Sequence, residues 1–116
     1  MKTFEDFLEI SVPQKENVLK YTQLLCNALE YDYMNHEDEE TKFVIEEKRK
    51  YYHIIHETST GSRSSHAFVD KKTGEVYKSA SFKSPAKGVR FNLLNDESRE
   101  SMLESLNWHG TYLYVK

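Results

Sequence analysis

The strongest constraint on the fold is a hairpin signal in the middle of the chain. Two strand-like segments, residues 66–70 and 75–79, flank the tight polar sequence Lys-Lys-Thr-Gly at residues 71–74. Gly74 can adopt a positive φ at no steric cost, as short turns between antiparallel strands require. The sequence therefore predicts two adjacent antiparallel strands joined at Gly74.

A second pair of strands is predicted before this hairpin. β-Branched and aromatic residues cluster at residues 43–45 and again at residues 51–56, and the charged residues 46–50 between them form the expected turn. A single helix through residues 43–55 is the competing interpretation. The hydroxyl-rich residues 58–65 are expected to form a flexible polar loop.

Helical patterns lie towards both ends of the chain. Residues 1–10 have the spacing of a short helix, and residues 14–31 repeat apolar positions at three and four, which predicts the longest amphipathic helix. Asn95 or Asp96 can cap a further helix. Residues 111–115 alternate in the manner of a closing strand.

Together these elements predict an α+β fold. It comprises an antiparallel sheet of about four or five strands, an N-terminal helix or helices, and a helix before the last strand. With 116 residues and 38% hydrophobic content, the chain suits one domain over residues 1–116 with one modest core.

Cysteine usage indicates the compartment. Cys26 is the only cysteine, so no intrachain disulfide can form, and its place on the inward side of a helical pattern predicts an inert thiol. No apolar run approaches membrane-spanning length, and no signal-peptide pattern opens the chain. We expect a cytoplasmic protein without membrane association.

Charge is distributed unevenly along the chain. The net charge is −3, which argues against general affinity for a DNA or RNA polymer. Residues 71–90 nevertheless hold six basic residues against one acidic residue. A local positive site on an acidic protein suits a small anion.

The segment of residues 76–96 has the composition of a ligand site. Lys83, Lys87 and Arg90 alternate with small and hydroxylated residues, and Phe82 adds a flat apolar surface. Ammonium and guanidinium groups bind phosphate oxygens, while an aromatic face stacks on a base. This combination predicts a nucleotide site that requires no cofactor or metal.

Histidines supply weaker candidates. His36 beside acidic residues is typical of a solvated loop, expected over residues 31–40, more than of a metal site. His53 and His56 would face opposite sides of a strand, and no zinc spacing surrounds them. We interpret both as structural histidines.

Residues 67–96, AFVDKKTGEVYKSASFKSPAKGVRFNLLND, resemble a known family. They are similar to the phage Thoeris anti-defence proteins of the first type, which bind and sequester a cyclic ADP-ribose isomer without cleaving it. The resemblance implies that Phe82 stacks on the adenine, that Asn92 makes polar contacts, and that the ligand lies at the interface of a homodimer or higher homo-oligomer. Charge considerations add Arg90, Lys87 and Lys83 as ligand-binding residues.

Three alternatives stay open at this point. The same stretch could be structural, with Phe82 and Phe91 in the core and the lysines at a solvated sheet edge. The acidic residues 36–41 could bind a host defence protein as an inhibitor. A cyclic-nucleotide-degrading enzyme is disfavoured, because neither a metal cluster nor a nucleophile with an evident base is recognisable.

Overall fold

The computed structural model describes residues 14–37 and 40–114. The predicted α+β class is confirmed. The predicted helix over residues 1–10 lies outside the described residues. The elements, in chain order, are α1 (Gln14–His36), β1 (Thr41–Glu47), β2 (Tyr51–Thr58), β3 (Arg63–Asp70), β4 (Glu75–Lys78), β5 (Phe91–Asn92), α2 (Asp96–Ser105) and a 3₁₀ helix (Thr111–Leu113).

The five strands form one sheet in the order β1-β2-β3-β4-β5. Each strand pairs antiparallel with the next, so the sheet is a meander. Both predicted strand pairs are confirmed, and the competing helix over residues 43–55 is wrong. Two strands are favoured there because Phe43, which pairs with His56, and Ile54, two residues before His56, lie on the same side of the β1–β2 pair and are both buried in the core.

The hairpin between β3 and β4 has the predicted turn. Gly74 has a φ of 76°. The Asp70 carboxylate accepts hydrogen bonds from the backbone N–H groups of Lys72, at 2.8 Å, and Thr73, at 3.1 Å. Asp70 thereby supplies the side-chain acceptor that a turn of this type uses to satisfy its exposed donors.

Helix α1 covers one face of the sheet. Val18, Leu25 and Leu29 are fully buried and share one side of the helix at spacings of seven and four residues. They pack in one core cluster with residues of β2, β3 and β4, including Ile54 and Val69. Burying each leucine stabilises the fold by roughly 1.5–3 kcal/mol, so this interface fixes the helix on the sheet.

Helix α1 also extends further than predicted. A loop was expected from residue 31, but the helix ends at His36. Tyr33 is buried, its ring meets the Trp108 ring edge-on at 4.8 Å, and Asp32 accepts a hydrogen bond from the Trp108 backbone N–H at 2.9 Å. The C-terminal region thus supplies the packing that the local acidic sequence lacks.

The predicted closing strand over residues 111–115 is also wrong. Thr111–Leu113 form a 3₁₀ helix that follows Gly110, whose φ is 87°. Tyr112 and Leu113 are adjacent in sequence and both buried, which an alternating strand over one core cannot achieve. Helix α2 therefore follows the last strand of the sheet, and Val115 lies outside the described residues.

Helix α2 begins at Asp96, directly after the Asn95 cap that the sequence predicts. The Asn95 side chain accepts a hydrogen bond from the Ser98 backbone N–H at 2.8 Å, and Asp96 and Glu97 occupy the first turn. Met102 is the buried contact of this helix with the core. Neither described α-helix has the length and apolarity needed to cross a membrane.

Candidate functional site

The connection between β4 and β5, residues 79–90, is a folded loop held by backbone hydrogen bonds. The Ala86 N–H donates to the Lys78 carbonyl at 2.7 Å, and the Ala80 N–H donates to the Ser84 carbonyl at 2.9 Å. These bonds turn the chain back on itself and push residues 81–84 outward, where all four are exposed. The loop presents a fixed set of side chains at the sheet edge.

Arg90 fixes the far end of this loop. Its Nε donates to the Leu113 carbonyl at 2.6 Å, and its Nη1 donates to the carbonyls of Lys87, at 2.8 Å, and Gly88, at 2.6 Å. These three bonds tie the loop to the 3₁₀ helix. Much of the donor capacity predicted to serve a phosphate is thus engaged with the protein's own backbone.

Phe82 lies outside the core. Its side chain is 41% exposed, and its ring meets the His53 ring edge-on at a centroid distance of 5.2 Å. Phe91 differs, because it packs on the core and stacks with Tyr112 at 6.1 Å. The structural alternative therefore describes Phe91, whereas Phe82 keeps ring surface available for a base.

The remaining predicted residues occupy two different settings. Lys83 and Lys87 are exposed, and within the described ranges no carboxylate lies within ion-pair distance of either. Asn92 lies in β5, where its Oδ1 accepts a hydrogen bond from the Leu94 N–H at 2.8 Å. Asn92 is therefore part of a turn, and no described contact joins it to Phe82.

A chain of polar contacts behind Phe82 was missed from the sequence. His53 Nε2 lies 2.7 Å from Ser65 Oγ, which lies 2.5 Å from Ser79 Oγ. His53 is 1% exposed and stacks on Phe68 at 4.2 Å. Burial lowers the pKa of His53, so its imidazole is neutral near pH 7.

His56 lies on the opposite face of β2, as predicted. It stacks on Phe43 at 4.4 Å, whereas the neighbours of His53 are Phe68 and Phe82. Burial lowers the pKa of His56 as well. Two neutral histidines therefore serve two separate surfaces, and only His53 adjoins the exposed loop.

Ser79 opens into a cleft of about 160 Å³, here called the polar cleft. Its polar lining comprises Ser65, His66, Lys78, Ser79, His109 and Tyr114. The Lys78 ammonium lies 4.8 Å from the centre of the Tyr114 ring. Three hydroxyls, the Lys78 ammonium and the exposed His109 imidazole around a small volume are donors suited to an anion.

A larger cleft of about 530 Å³ has the opposite character. Glu30, Glu40 and Glu57 line it, with Lys42 as its one cation among the described lining residues. Such a surface repels phosphate groups. Among the described residues, no three His, Cys, Asp or Glu side chains are grouped to hold a metal ion.

Cys26 contributes no reactive group to these surfaces. It lies in α1 on the side that faces the sheet and is fully buried in the core. Burial, with a smaller effect from Glu30, raises the pKa of its thiol to about 12. The thiol is thus protonated near neutral pH and shielded from reagents, as the helical pattern predicted.

Comparison with known proteins places the chain in a family. The model of DUF7717, a family of unknown function, matches residues 3–115, so the chain belongs to that family. No curated protein and no solved structure matches the chain. The resemblance to Thoeris anti-defence proteins therefore stays a prediction.

Proposed function

We propose that this member of DUF7717 is a phage anti-defence sponge that acts in the host bacterial cytoplasm. It binds a cyclic ADP-ribose isomer and sequesters it without cleavage, which blocks Thoeris signalling. The observation that carries the proposal is Phe82, 41% exposed at the tip of a hydrogen-bonded loop. The same loop carries Lys83 and Lys87, which form no ion pair with the described residues.

The loop offers the two contacts that a nucleotide needs. The open face of Phe82 can stack on adenine, a contact worth about 1–3 kcal/mol per base. Lys83 and Lys87 lie one and five residues further along and carry ammonium groups for phosphate oxygens. Because Arg90 and backbone bonds already hold the loop, little ordering entropy is lost on binding.

Binding without cleavage is supported by the state of the hydroxyl–imidazole pair that Ser65 forms with His53. Ser65 Oγ is engaged by His53 on one side and Ser79 on the other. His53 is almost fully buried. A hydrolase needs a nucleophile that reaches the substrate, and this pair is better suited to supporting the loop.

The sponge is proposed to be a homodimer or higher homo-oligomer. Apolar side chains on the outer side of α1 support this, since Leu24, Tyr31 and Met34 are 43%, 71% and 62% exposed. Sedimentation velocity should show a dimer or larger species that Met34→Lys shifts towards monomer. A monomeric wild type at all concentrations would remove this part of the proposal.

Calorimetric titration with cyclic ADP-ribose isomers tests the function itself. Wild type should bind one isomer tightly, and chromatography after heat release should return that isomer intact. Phe82→Ala should lose about tenfold or more in affinity, as expected for a lost stacking contact. Phe82→Tyr keeps a ring and Lys72→Ala removes a distant charge, so both should bind nearly as wild type.

Two outcomes would contradict the proposal. Conversion of the isomer to linear ADP-ribose would identify a hydrolase, for which Ser65→Ala would abolish turnover. Absence of heat with every isomer would instead favour the protein-inhibitor alternative through residues 36–41. In that case a host protein would bind equally well to immobilised wild type and to immobilised Phe82→Ala.

A further inference from the structure

We infer that the polar cleft lined by Ser65, His66, Lys78, Ser79, His109 and Tyr114 binds the pyrophosphate of the nucleotide whose base stacks on Phe82. This inference rests on the proposed function. It assigns the phosphoryl contacts to a cleft between β3, β4 and the C-terminal segment. Lys83 and Lys87 on the outer loop then make weaker, peripheral contacts.

Contacts run without a break from Phe82 to the cleft. The Phe82 ring touches the His53 ring at 5.2 Å, His53 Nε2 meets Ser65 Oγ at 2.7 Å, and Ser65 Oγ meets Ser79 Oγ at 2.5 Å. Ser65 and Ser79 both line the cleft. His53 is buried, so this path links the Phe82 ring to the cleft from beneath. Phe82 also follows Ser79 by three residues in the same loop, which places the aromatic face close enough to the cleft for a base linked to phosphates to contact both.

The hydroxyl chain can deliver one donor into the cleft. If His53 donates its Nε2–H to Ser65, then Ser65 donates to Ser79, and the Ser79 O–H is left free to donate to an anion. In the other tautomer His53 accepts from Ser65, Ser79 donates back to Ser65, and no hydroxyl proton points outward. An anion in the cleft therefore selects the Nε2–H tautomer of His53.

Lys78 supplies the charge. Among the described residues, no carboxylate lies within ion-pair distance of its ammonium. The ammonium lies 4.8 Å from the centre of the Tyr114 ring, and its hydrogen bond within the described part of the chain is a long one, 3.4 Å to the Ser79 carbonyl. An ammonium that is only partly satisfied, in a narrow cleft, is a strong point charge for a phosphoryl oxygen.

His109 completes the cleft from the C-terminal side. Its ring stacks on Trp108 at 4.0 Å, which holds an exposed imidazole in place beside the cleft. Gly110 follows with a φ of 87°, so the chain turns sharply there towards Leu113 and Tyr114. The cleft is thus built from rigid elements on three sides.

Competition binding tests this assignment with inorganic pyrophosphate and the cyclic ADP-ribose isomers as probes. Lys78→Met keeps the aliphatic stem over Tyr114 and should weaken nucleotide affinity about tenfold or more. Ser79→Ala should weaken it about fivefold, since one hydrogen bond to an anion is lost. Lys72→Met and Ser59→Ala are matched controls that should leave affinity within about twofold.

His53 is a positioning residue in this scheme, and its role has a separate readout. His53→Gln retains an N–H donor and should keep the affinity of wild type within about threefold, whereas His53→Leu should match Ser79→Ala. A double variant, His53→Leu with Ser79→Ala, should add no further loss, because both act through one hydroxyl. Fully additive losses would contradict the relay.

The outcomes separate this inference from the proposed function. Tight nucleotide binding that is unchanged by Lys78→Met but lost in Lys83→Met and Lys87→Met would overturn the assignment of the pyrophosphate to the polar cleft. The proposed sequestering function would still stand. Pyrophosphate binding that depends on Lys78, without binding of any isomer, would support anion binding in the polar cleft. It would overturn the proposal that the protein sequesters a cyclic ADP-ribose isomer. Thermal melting of each variant identifies losses that come from unfolding.

Discussion

The two segments that flank β4 have similar compositions and different physical roles. The turn at residues 71–74 and the loop at residues 79–90 are both rich in lysine, hydroxyls and glycine. In the turn, Lys71 pairs with Glu47 at 2.6 Å and Asp70 accepts backbone N–H groups. In the loop, Lys83 and Lys87 face solvent.

This difference separates side chains that stabilise the fold from side chains that remain accessible to a ligand. The backbone N–H groups of the turn and the Lys71 ammonium are satisfied by carboxylates of the protein, so these groups act on stability. The loop is held by backbone bonds and by Arg90, which leaves Phe82 and two ammonium groups for a ligand. Substitutions in the turn should therefore alter unfolding, and substitutions at the loop tip should alter binding.

The largest effect is expected in the turn. Gly74→Ala should lower the free energy of unfolding by about 2–3 kcal/mol, because the residue must keep a positive φ and a Cβ would lie 2.9 Å from Leu94 Cγ. Gly61→Ala is the control, since its φ is 87° but no atom lies within 4 Å of the new Cβ. Its loss should be about 1 kcal/mol.

Urea denaturation measures both glycine variants. Equal losses at the two positions would show that conformational strain alone matters and that the packing of Leu94 against the turn contributes nothing. A smaller loss at Gly74 than at Gly61 would contradict the comparison.

Arg90→Ala should have the next largest effect. Removing three hydrogen bonds to carbonyls should cost about 1–2 kcal/mol of stability, because the Leu113 carbonyl and the loop lose a charged donor. Hydrogen exchange should speed up across residues 79–90 and remain slow at residues 71–74. Uniform acceleration over both segments would contradict the assignment of Arg90 to the loop alone.

Acid should weaken the core beneath both segments. Burial, with a smaller effect from His56, lowers the pKa of His66 to about 3 from an ordinary value of 6.5. Below pH 6.5 His66 therefore binds a proton in the unfolded chain but not in the folded chain. The free energy of unfolding, which is highest above pH 6.5, declines as the pH falls. His66 alone should remove about 1 kcal/mol between pH 6.5 and 5.5.

Denaturation at several pH values checks this expectation. His66→Gln, which has no titratable ring, should remove this contribution to the slope between pH 6.5 and 5.5. A flat stability over that interval would show that His66, which lies 2.7 Å from the Tyr112 hydroxyl, is not held neutral in the fold.

The smallest stability effect is expected at the loop tip. Phe82→Ala should lower the free energy of unfolding by less than about 1 kcal/mol, since the ring is 41% exposed and lies outside the core cluster. Phe91→Ala, which removes a ring packed on the core, should cost about 2 kcal/mol. If Phe82→Ala were as destabilising as Phe91→Ala, Phe82 would be a structural residue.

Local signals in the sequence predicted much of the fold. The turn at Gly74, the strands on either side of residues 48–50, and the Asn95 cap each depend on neighbours within a few residues. Phe82 was singled out as a lone aromatic among cations, and the structure leaves it exposed. Such features are set by short-range chemistry and can be inferred without the fold.

Features that depend on residues far apart in the sequence could not be predicted from local patterns. The end of α1 is set by Trp108, which lies 76 residues from its partner Asp32. The contact of Ser65 with Ser79 depends on the register of β3 on β4. A regular extension of the predicted hairpin beyond Ala67 and Lys78 would pair His66 with Ser79 and put Ser65 on the opposite face. The contact therefore also depends on the register shift of β3 against β2, where Ile54 pairs with Ala67 and Ile55 with Ser65, and that shift has no local sequence signal.

Two-dimensional NMR of ¹⁵N-labelled protein, titrated with the cyclic ADP-ribose isomer that gives calorimetric heat, tests the central claim most directly. Amide shifts should change across residues 79–90 and at Ser65, while residues 71–74 keep their positions. Changes centred on residues 71–74 or on the larger cleft lined by Glu30, Glu40 and Glu57 would contradict the assignment of ligand binding to the Phe82 loop. The absence of any change would contradict it as well.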